Sequence, residues 1–252
     1  MTTGAAPCRP APPEAIFFDA AGTLIRVRRP VGEVYADHAR RHGWNLPPDA
    51  LATTFAAVFR RLPPPAGTGP DPERAWWERL VREVLASHGV EPAEGAFGEY
   101  FAGLWAHYAD AAAWSAFPEA GEVLERLARR HPLGVVSNFD ERLPGILEGL
   151  GLARHFRSLT LSGRVGARKP AARIFAAALA SLGLEDGAGV IHVGDEPEAD
   201  WQGARTAGLG WYELRRPERD LRAFEGWLKG GWTGKALTWR EISLTFFASQ
   251  TT

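Results

Sequence analysis

The chain reads as an α/β protein, a parallel sheet covered on both faces by helices, with a helical insert between the first and second strands. Three observations predict this. Short apolar runs recur at residues 15–18, 133–136, 159–161, 190–193 and 211–214. The middle three each lead through polar or glycine-containing loops into a helix-like stretch. Between about Arg28 and Ser115 the texture changes, with helical spacing over 31–42, 49–62, 73–88 and 94–109 and no convincing strand.

Each element has a local reason. Short, wholly apolar strands alternating with helices mark a parallel sheet buried on both faces. In the insert, Asp49 and Asp71 offer helix-start signals, and Gly43 and Gly89 offer stops. Residues 63–65 and 67–72, rich in proline and glycine, make a stiff connection between two of its helices. The expected division is a flexible leader at 1–14, a core of 15–27 and 116–230, a cap of 28–115 and an extension at 231–252. The tail over 236–247 suits either a strand or a packed extension.

Bulk properties exclude several classes of function. Hydrophobic residues make up 45% and charged residues 23% of the 252, ordinary values that argue against wholesale disorder. The net charge of −1 provides no basic field for nucleic acid or an anionic membrane. Charges, prolines or glycines break every apolar run well short of a membrane span. Cys8 is the only cysteine, so an intrachain disulfide is impossible and a reducing, cytoplasmic location is expected. Oligomeric state leaves no readable signal.

Four motifs carry candidate chemistry. Asp19 directly follows the first apolar run in Phe17-Phe18-Asp19-Ala20-Ala21-Gly22-Thr23-Leu24, where a rigidly held carboxylate can act as a nucleophile. In Val135-Val136-Ser137-Asn138, a hydroxyl and adjoining backbone N–H groups can hold a phosphoryl oxygen. Arg168-Lys169-Pro170 contains one of only three lysines in the chain, placed to neutralise clustered acids. In His192-Val193-Gly194-Asp195-Glu196-Pro197-Glu198-Ala199-Asp200, two carboxylates five residues apart suit the hard oxygen ligation of Mg²⁺. Each motif alone is explained nearly as well by a turn, a helix start or a solvated acidic loop. Functional groups of such sheets gather at the carboxyl ends of strands, which is where Asp19, Ser137 and Asp195 fall.

Taken together and in this order, the four motifs resemble the haloacid dehalogenase (HAD) superfamily over about residues 15–228. Arg29-Pro30-Val31-Gly32-Glu33 and Ser137-Asn138-Phe139-Asp140 look like one subgroup of it, the haloacid dehalogenase-like hydrolase domain-containing proteins. The resemblance implies a Rossmann-like core and a Mg²⁺-dependent phosphohydrolase acting on a small phosphorylated metabolite through an aspartyl-phosphate. It implies Asp19 as nucleophile and metal ligand, with Asp195 and the backbone carbonyl of Ala21 completing the metal site. Ser137 and Asn138 would orient the phosphoryl group, Lys169 would stabilise it, and Asp200 would support the metal from behind.

One position departs from the phosphatase pattern. Most phosphatases of the superfamily carry a second Asp two residues after the nucleophile, and here that residue is Ala21. Loss of a positioned acid and base costs roughly 10²–10⁴ in rate, so slow or atypical turnover is expected. Phosphonoacetaldehyde hydrolases also have Ala there but use a cap lysine, and residues 28–115 contain none. Two alternatives stay open: a non-enzymatic protein that binds a phosphorylated ligand or a protein partner, and a carbon–halogen hydrolase.

Other features have plainer readings. His38 and His42 share a helix face but lack a third ligand, so a solvated face is expected. His192 reads as a packed core histidine. Trp76, Trp77, Trp105 and Trp114 read first as helix packing, with the lining of a substrate pocket as the alternative for some of them. Arg26, Arg28 and Arg29 suit either an anionic substrate or a solvated hinge.

Overall fold

The computed structural model describes residues 11–65, 67, 69–230 and 232. Cys8, most of the leader and the segment 236–247 lie outside them. Along the chain come β1 (Ala15–Phe18), β2 (Ile25–Val27), α1 (Val31–Arg41), α2 (Pro48–Arg61), α3 (Pro70–Ala86), α4 (Glu94–Ala109) and β3 (Trp114–Ala116). Then follow α5 (Ala120–Ala128), β4 (Leu133–Ser137), α6 (Leu143–Gly149), β5 (Ser158–Leu161), α7 (Ser162–Val165) and α8 (Ala172–Ser181). The last elements are β6 (Val190–Gly194), α9 (Gly203–Thr206), β7 (Gly210–Glu213) and α10 (Leu221–Gly230).

The five expected strands form one parallel sheet in the order β5-β4-β1-β6-β7, with β1 at its centre. Phe18 lies opposite both Val135 and Val193, so the ends of β1, β4 and β6 are level. Successive side chains of a strand point to opposite faces. Ile16 and Phe18 accordingly join one core with Val135 and Val193. Ala15 and Phe17 join the other, with Val136, Phe175 and Trp211.

The insert has its own core. Val34 and Leu51 from α1 and α2 meet Leu80, Val84, Phe97, Tyr100 and Leu104 from α3 and α4. α1 and α3 end shortly before Gly43 and Gly89, as expected. The helix starts expected at Asp49 and Asp71 fall one residue earlier. α2 and α3 begin at Pro48 and Pro70, after Pro47 and Gly69, without a side-chain capping bond. A proline suits the first helical position because it has no N–H to satisfy there.

The expectation of a strand-free insert needs one correction. β2 and β3 pair antiparallel, with Val27 opposite Trp114, as a two-stranded ribbon at the base of the insert. Three-residue strands are too short to show a period in sequence, and pairing across 86 intervening positions stabilises them only after folding. Among the described residues no helix is long and apolar enough to cross a membrane.

Candidate active site

The level strand ends set the site. Asp19 is the first residue past β1, and its N–H still donates to the Val193 carbonyl at 2.9 Å, which extends the sheet by one position. The carboxylate is almost enclosed, at 7% exposure. Two side chains converge on its Oδ1: Ser137 Oγ donates at 3.0 Å from the end of β4, and Lys169 Nζ at 2.7 Å. One oxygen is thereby pinned and the carboxylate cannot rotate freely.

Lys169 is the hub. Its ammonium also donates to Asp200 Oδ1 at 2.5 Å, and its backbone is clamped by Asn138. The Asn138 amide donates to the Lys169 carbonyl at 3.0 Å, and its side-chain oxygen accepts from the Lys169 N–H at 2.7 Å. The amide of Asn138 is thus occupied in holding the lysine loop.

Asp200 is fully engaged. Besides Lys169, Oδ1 pairs with His192 Nε2 at 2.8 Å, and Oδ2 accepts from the Glu196 N–H at 3.0 Å. It lies in a π-helical turn over Pro197–Gln202 that runs into α9. Such turns are frequent at functional sites, and this one returns the side chain beneath β6. His192 is therefore more than a packed histidine, since it is buried against Asp200. Its neighbourhood in sequence shows only a polar residue inside an apolar strand.

Asp195, one residue past β6, is half-buried, and among the described residues its side-chain hydrogen bond comes from Thr23 Oγ1 at 3.0 Å. Gly22 has φ of 92°, and a Cβ there would land on the Asp195 carboxylate. A Cβ at Gly194 would likewise land on Asp200. Both glycines are demanded by the close approach of the acids.

The charges do not balance internally. Asp19, Asp195 and Asp200 each offer an oxygen, and these lie within 4.8 Å of one another, with Lys169 as the cation among them. Burial raises the Asp19 pKa, and Lys169 opposes only part of that rise. Burial and then the charge of Asp19 push Asp195 up to about 6. Burial alone would raise Asp200, but Lys169 and His192 hold it below the usual carboxylate range. Burial alone would lower Lys169, but Asp19 and Asp200 outweigh it and raise the pKa. A cluster in which burial raises the pKa of two neighbouring carboxylates fits a hard divalent ion that would offset their charge. Asp200, with both oxygens already hydrogen-bonded, fits a supporting role better than direct ligation.

Ala21 is exposed towards the space between insert and core. It lines a cavity of ≈ 390 Å³ that Trp77, Trp105 and Trp114 also line, so three of the four tryptophans noted in the insert wall this cavity. Arg26 lies at this cavity, whereas Arg28 donates to the Trp114 carbonyl and Arg29 pairs with Asp37 and Glu33. His38 and His42 face His107 and Trp44, away from the acid cluster. Two contacts across the seam had no sequence signal. Glu73 of α3 accepts from Ser162 Oγ at 3.4 Å, and the Arg142 guanidinium lies 3.8 Å from the Trp105 ring centroid.

A family model described as haloacid dehalogenase-like hydrolase matches residues 13–208. The haloacid dehalogenase-like hydrolase domain-containing protein 3 of Homo sapiens is 36% identical over 208 residues, covering 81% of this chain and 82% of that one. A HAD-hydrolase from Bacillus subtilis, solved bound to magnesium, shares the fold with a TM-score of 0.68 at 18% identity, covering 87% of this chain and all of that one. A 2-haloacid dehalogenase from Pseudomonas syringae is similar at a TM-score of 0.59 and 22% identity, covering 86% and 98%.

Proposed function

Because the chain belongs to the haloacid dehalogenase-like hydrolases, we propose that it is a Mg²⁺-dependent phosphohydrolase that forms an aspartyl-phosphate on Asp19. The observation that carries this reading is the Lys169 ammonium bridging Asp19 and Asp200 beside the uncompensated Asp195. A carboxylate so held presents one oxygen in a fixed direction while the lysine accepts the charge of an arriving phosphoryl group.

Asp19, Asp195 and the Ala21 carbonyl would hold Mg²⁺, with Asp200 positioning Lys169 and the loop behind. When bound, the ion supplies charge neutralisation for the phosphoryl oxygens and for the clustered acids. Ser137 Oγ and the Asn138 backbone N–H orient the phosphoryl group. Asp19 forms a bond to phosphorus as the bond to the leaving oxygen breaks. Water then attacks the same phosphorus, releasing inorganic phosphate and restoring the carboxylate. Residues 28–115 act as a cap over the leaving group, and the substrate is a small phosphorylated molecule.

Ala21 favours a second reading, a protein that binds a phosphorylated ligand with little turnover. Carbon–halogen hydrolysis is disfavoured because a halide substrate carries no phosphate dianion to require Asp195. Beryllium fluoride trapping tests the proposal: the fluoride adduct should form on the wild type only with Mg²⁺, and not at all on Asp19→Asn. An adduct indifferent to Mg²⁺, or none, would refute the phosphoryl chemistry. Turnover of a panel of phosphate esters then separates enzyme from binding protein.

A further inference from the structure

We infer that the substrate is an aryl phosphate whose ring occupies the aromatic cavity beside Ala21, an assignment that rests on the phosphohydrolase reading above. The cavity is bounded on the core side by Ala21, Gly22 and Asn138 and on the insert side by Phe101, Trp77 and Trp105. Ala21 and Gly22, which follow Asp19 in the nucleophile loop, form part of its wall, and the group esterified to a phosphate at Asp19 would reach it past them. At ≈ 390 Å³ it falls near the lower end of the about 300–1,000 Å³ typical of small-molecule sites, room for a small ring system.

The walls select the chemistry. A sugar or polyol would exchange its water hydrogen bonds for ring faces, at a cost for every hydroxyl left unpaired. A flat ring gains area burial and also offset or edge contacts with the surrounding rings. Arg26 lines the cavity from an exposed position, 5.3 Å from the Phe117 ring centroid. Arg142 lines it too, but its charge is matched by Asp140 at 2.6 Å and its guanidinium carbon lies 3.8 Å from the Trp105 ring centroid. It contributes a face, not an unpaired charge. The Tyr108 hydroxyl is buried and has no hydrogen-bond partner among the described residues, and Tyr108 is part of the cavity lining. Sealed from solvent, that hydroxyl leaves only the Tyr108 ring to the cavity surface.

Ala21 points independently to the same class. An alkyl ester needs a proton on its oxygen as the bond to phosphorus breaks, and Ala21 cannot supply one. In an aryl ester the electron pair of that bond departs on a phenolate, which takes its proton from water afterwards. The absent acid and the apolar walls are thus consistent with one leaving group.

The test uses the full chain with Mg²⁺. Calorimetric titration compares methylphosphonate with naphthylmethylphosphonate, and turnover compares phenyl phosphate with 2-naphthyl phosphate, two esters with similar leaving groups. The naphthyl compound should bind about 10- to 100-fold more tightly, the change expected for burying one aromatic-sized apolar group. The ratio should collapse in Val27→Phe, which fills the cavity from β2, and fall in Trp105→Ala. If Trp105→Ala does not fold, Val27→Phe carries the comparison. Equal affinities would overturn the ring site, and phenyl phosphate turnover would still uphold the hydrolase. Ring-dependent binding with no turnover of either ester would support the ring site while overturning the hydrolase reading.

Discussion

Replacing Lys169 with methionine should be more damaging to stability than removing any surface charge of this protein. Lys169 is buried between two carboxylates, at 2.7 Å from Asp19 and 2.5 Å from Asp200. Lys169→Met keeps the volume of the side chain and removes the cation, leaving three clustered acids with none. Breaking a buried pair by deleting one partner costs about 3–5 kcal/mol. At about 2–4 °C per kcal/mol for a domain of this size, Tm should fall by roughly 6–20 °C at pH 7.5 without Mg²⁺. The pH dependence has a definite sign. The lysine pKa is raised, so its contribution is complete below the ordinary lysine range and fades only as pH rises through the higher folded value. Any change in the deficit below pH 7 therefore comes from the carboxylates. Without the lysine, Asp19 and Asp200 hold protons more tightly folded than unfolded, so the variant recovers stability as the pH falls towards 5. Mg²⁺ should also restore part of it. Thermal unfolding of both proteins from pH 5 to 8, with and without Mg²⁺, measures all three effects. A Tm loss under about 2 °C, less than one kcal/mol on that scale, or a deficit unchanged between pH 7.5 and 5 would refute the charge balance argued here.

Four further outcomes follow. Asp195 has its pKa pushed up to about 6, so the metal-free protein should lose stability as pH rises from about 4 through 6, and the Tm gain from Mg²⁺ should fade below about pH 6 as protons compete. Asp195→Asn should abolish that gain and lower phosphatase turnover about 100-fold or more, with an unchanged circular dichroism spectrum; turnover insensitive to the substitution or to EDTA would refute the metal assignment. Ala21→Asp should raise turnover of alkyl phosphates roughly 10-fold or more by supplying the acid and base, with a smaller gain on aryl phosphates, and a folded variant with no gain on any ester would favour the binding-protein reading. Borohydride with phosphonoacetaldehyde should label no peptide of residues 28–115, which contain no lysine.

Much of the site was legible because its residues sit at strand ends. An apolar run that stops at an acid, as Phe17-Phe18-Asp19 does, states both the strand and the position where its polar end emerges. Val193-Gly194-Asp195 does the same. The roles inside the site were less legible. His192 looks like any polar residue in a strand, and only the π-helical turn that returns Asp200 beneath it reveals their contact. The sequence likewise carries no sign that the Asn138 side chain clamps the lysine loop 31 residues away.

By itself the sequence determined the alternation of apolar strands and helices, the helical insert, the motif order and the one departure at Ala21, because periodicity and local punctuation are written within each segment. Tertiary structure alone decided what those segments meet. The order β5-β4-β1-β6-β7 places Asp19 between Ser137 and Asp195, although 118 residues separate the first pair. The aromatic cavity likewise draws walls from Gly22, Trp77, Trp105 and Arg142. Contacts at such separations arise from the burial of both sheet faces and of the insert's own core, a cooperative free energy of the whole chain that no local pattern of residues records.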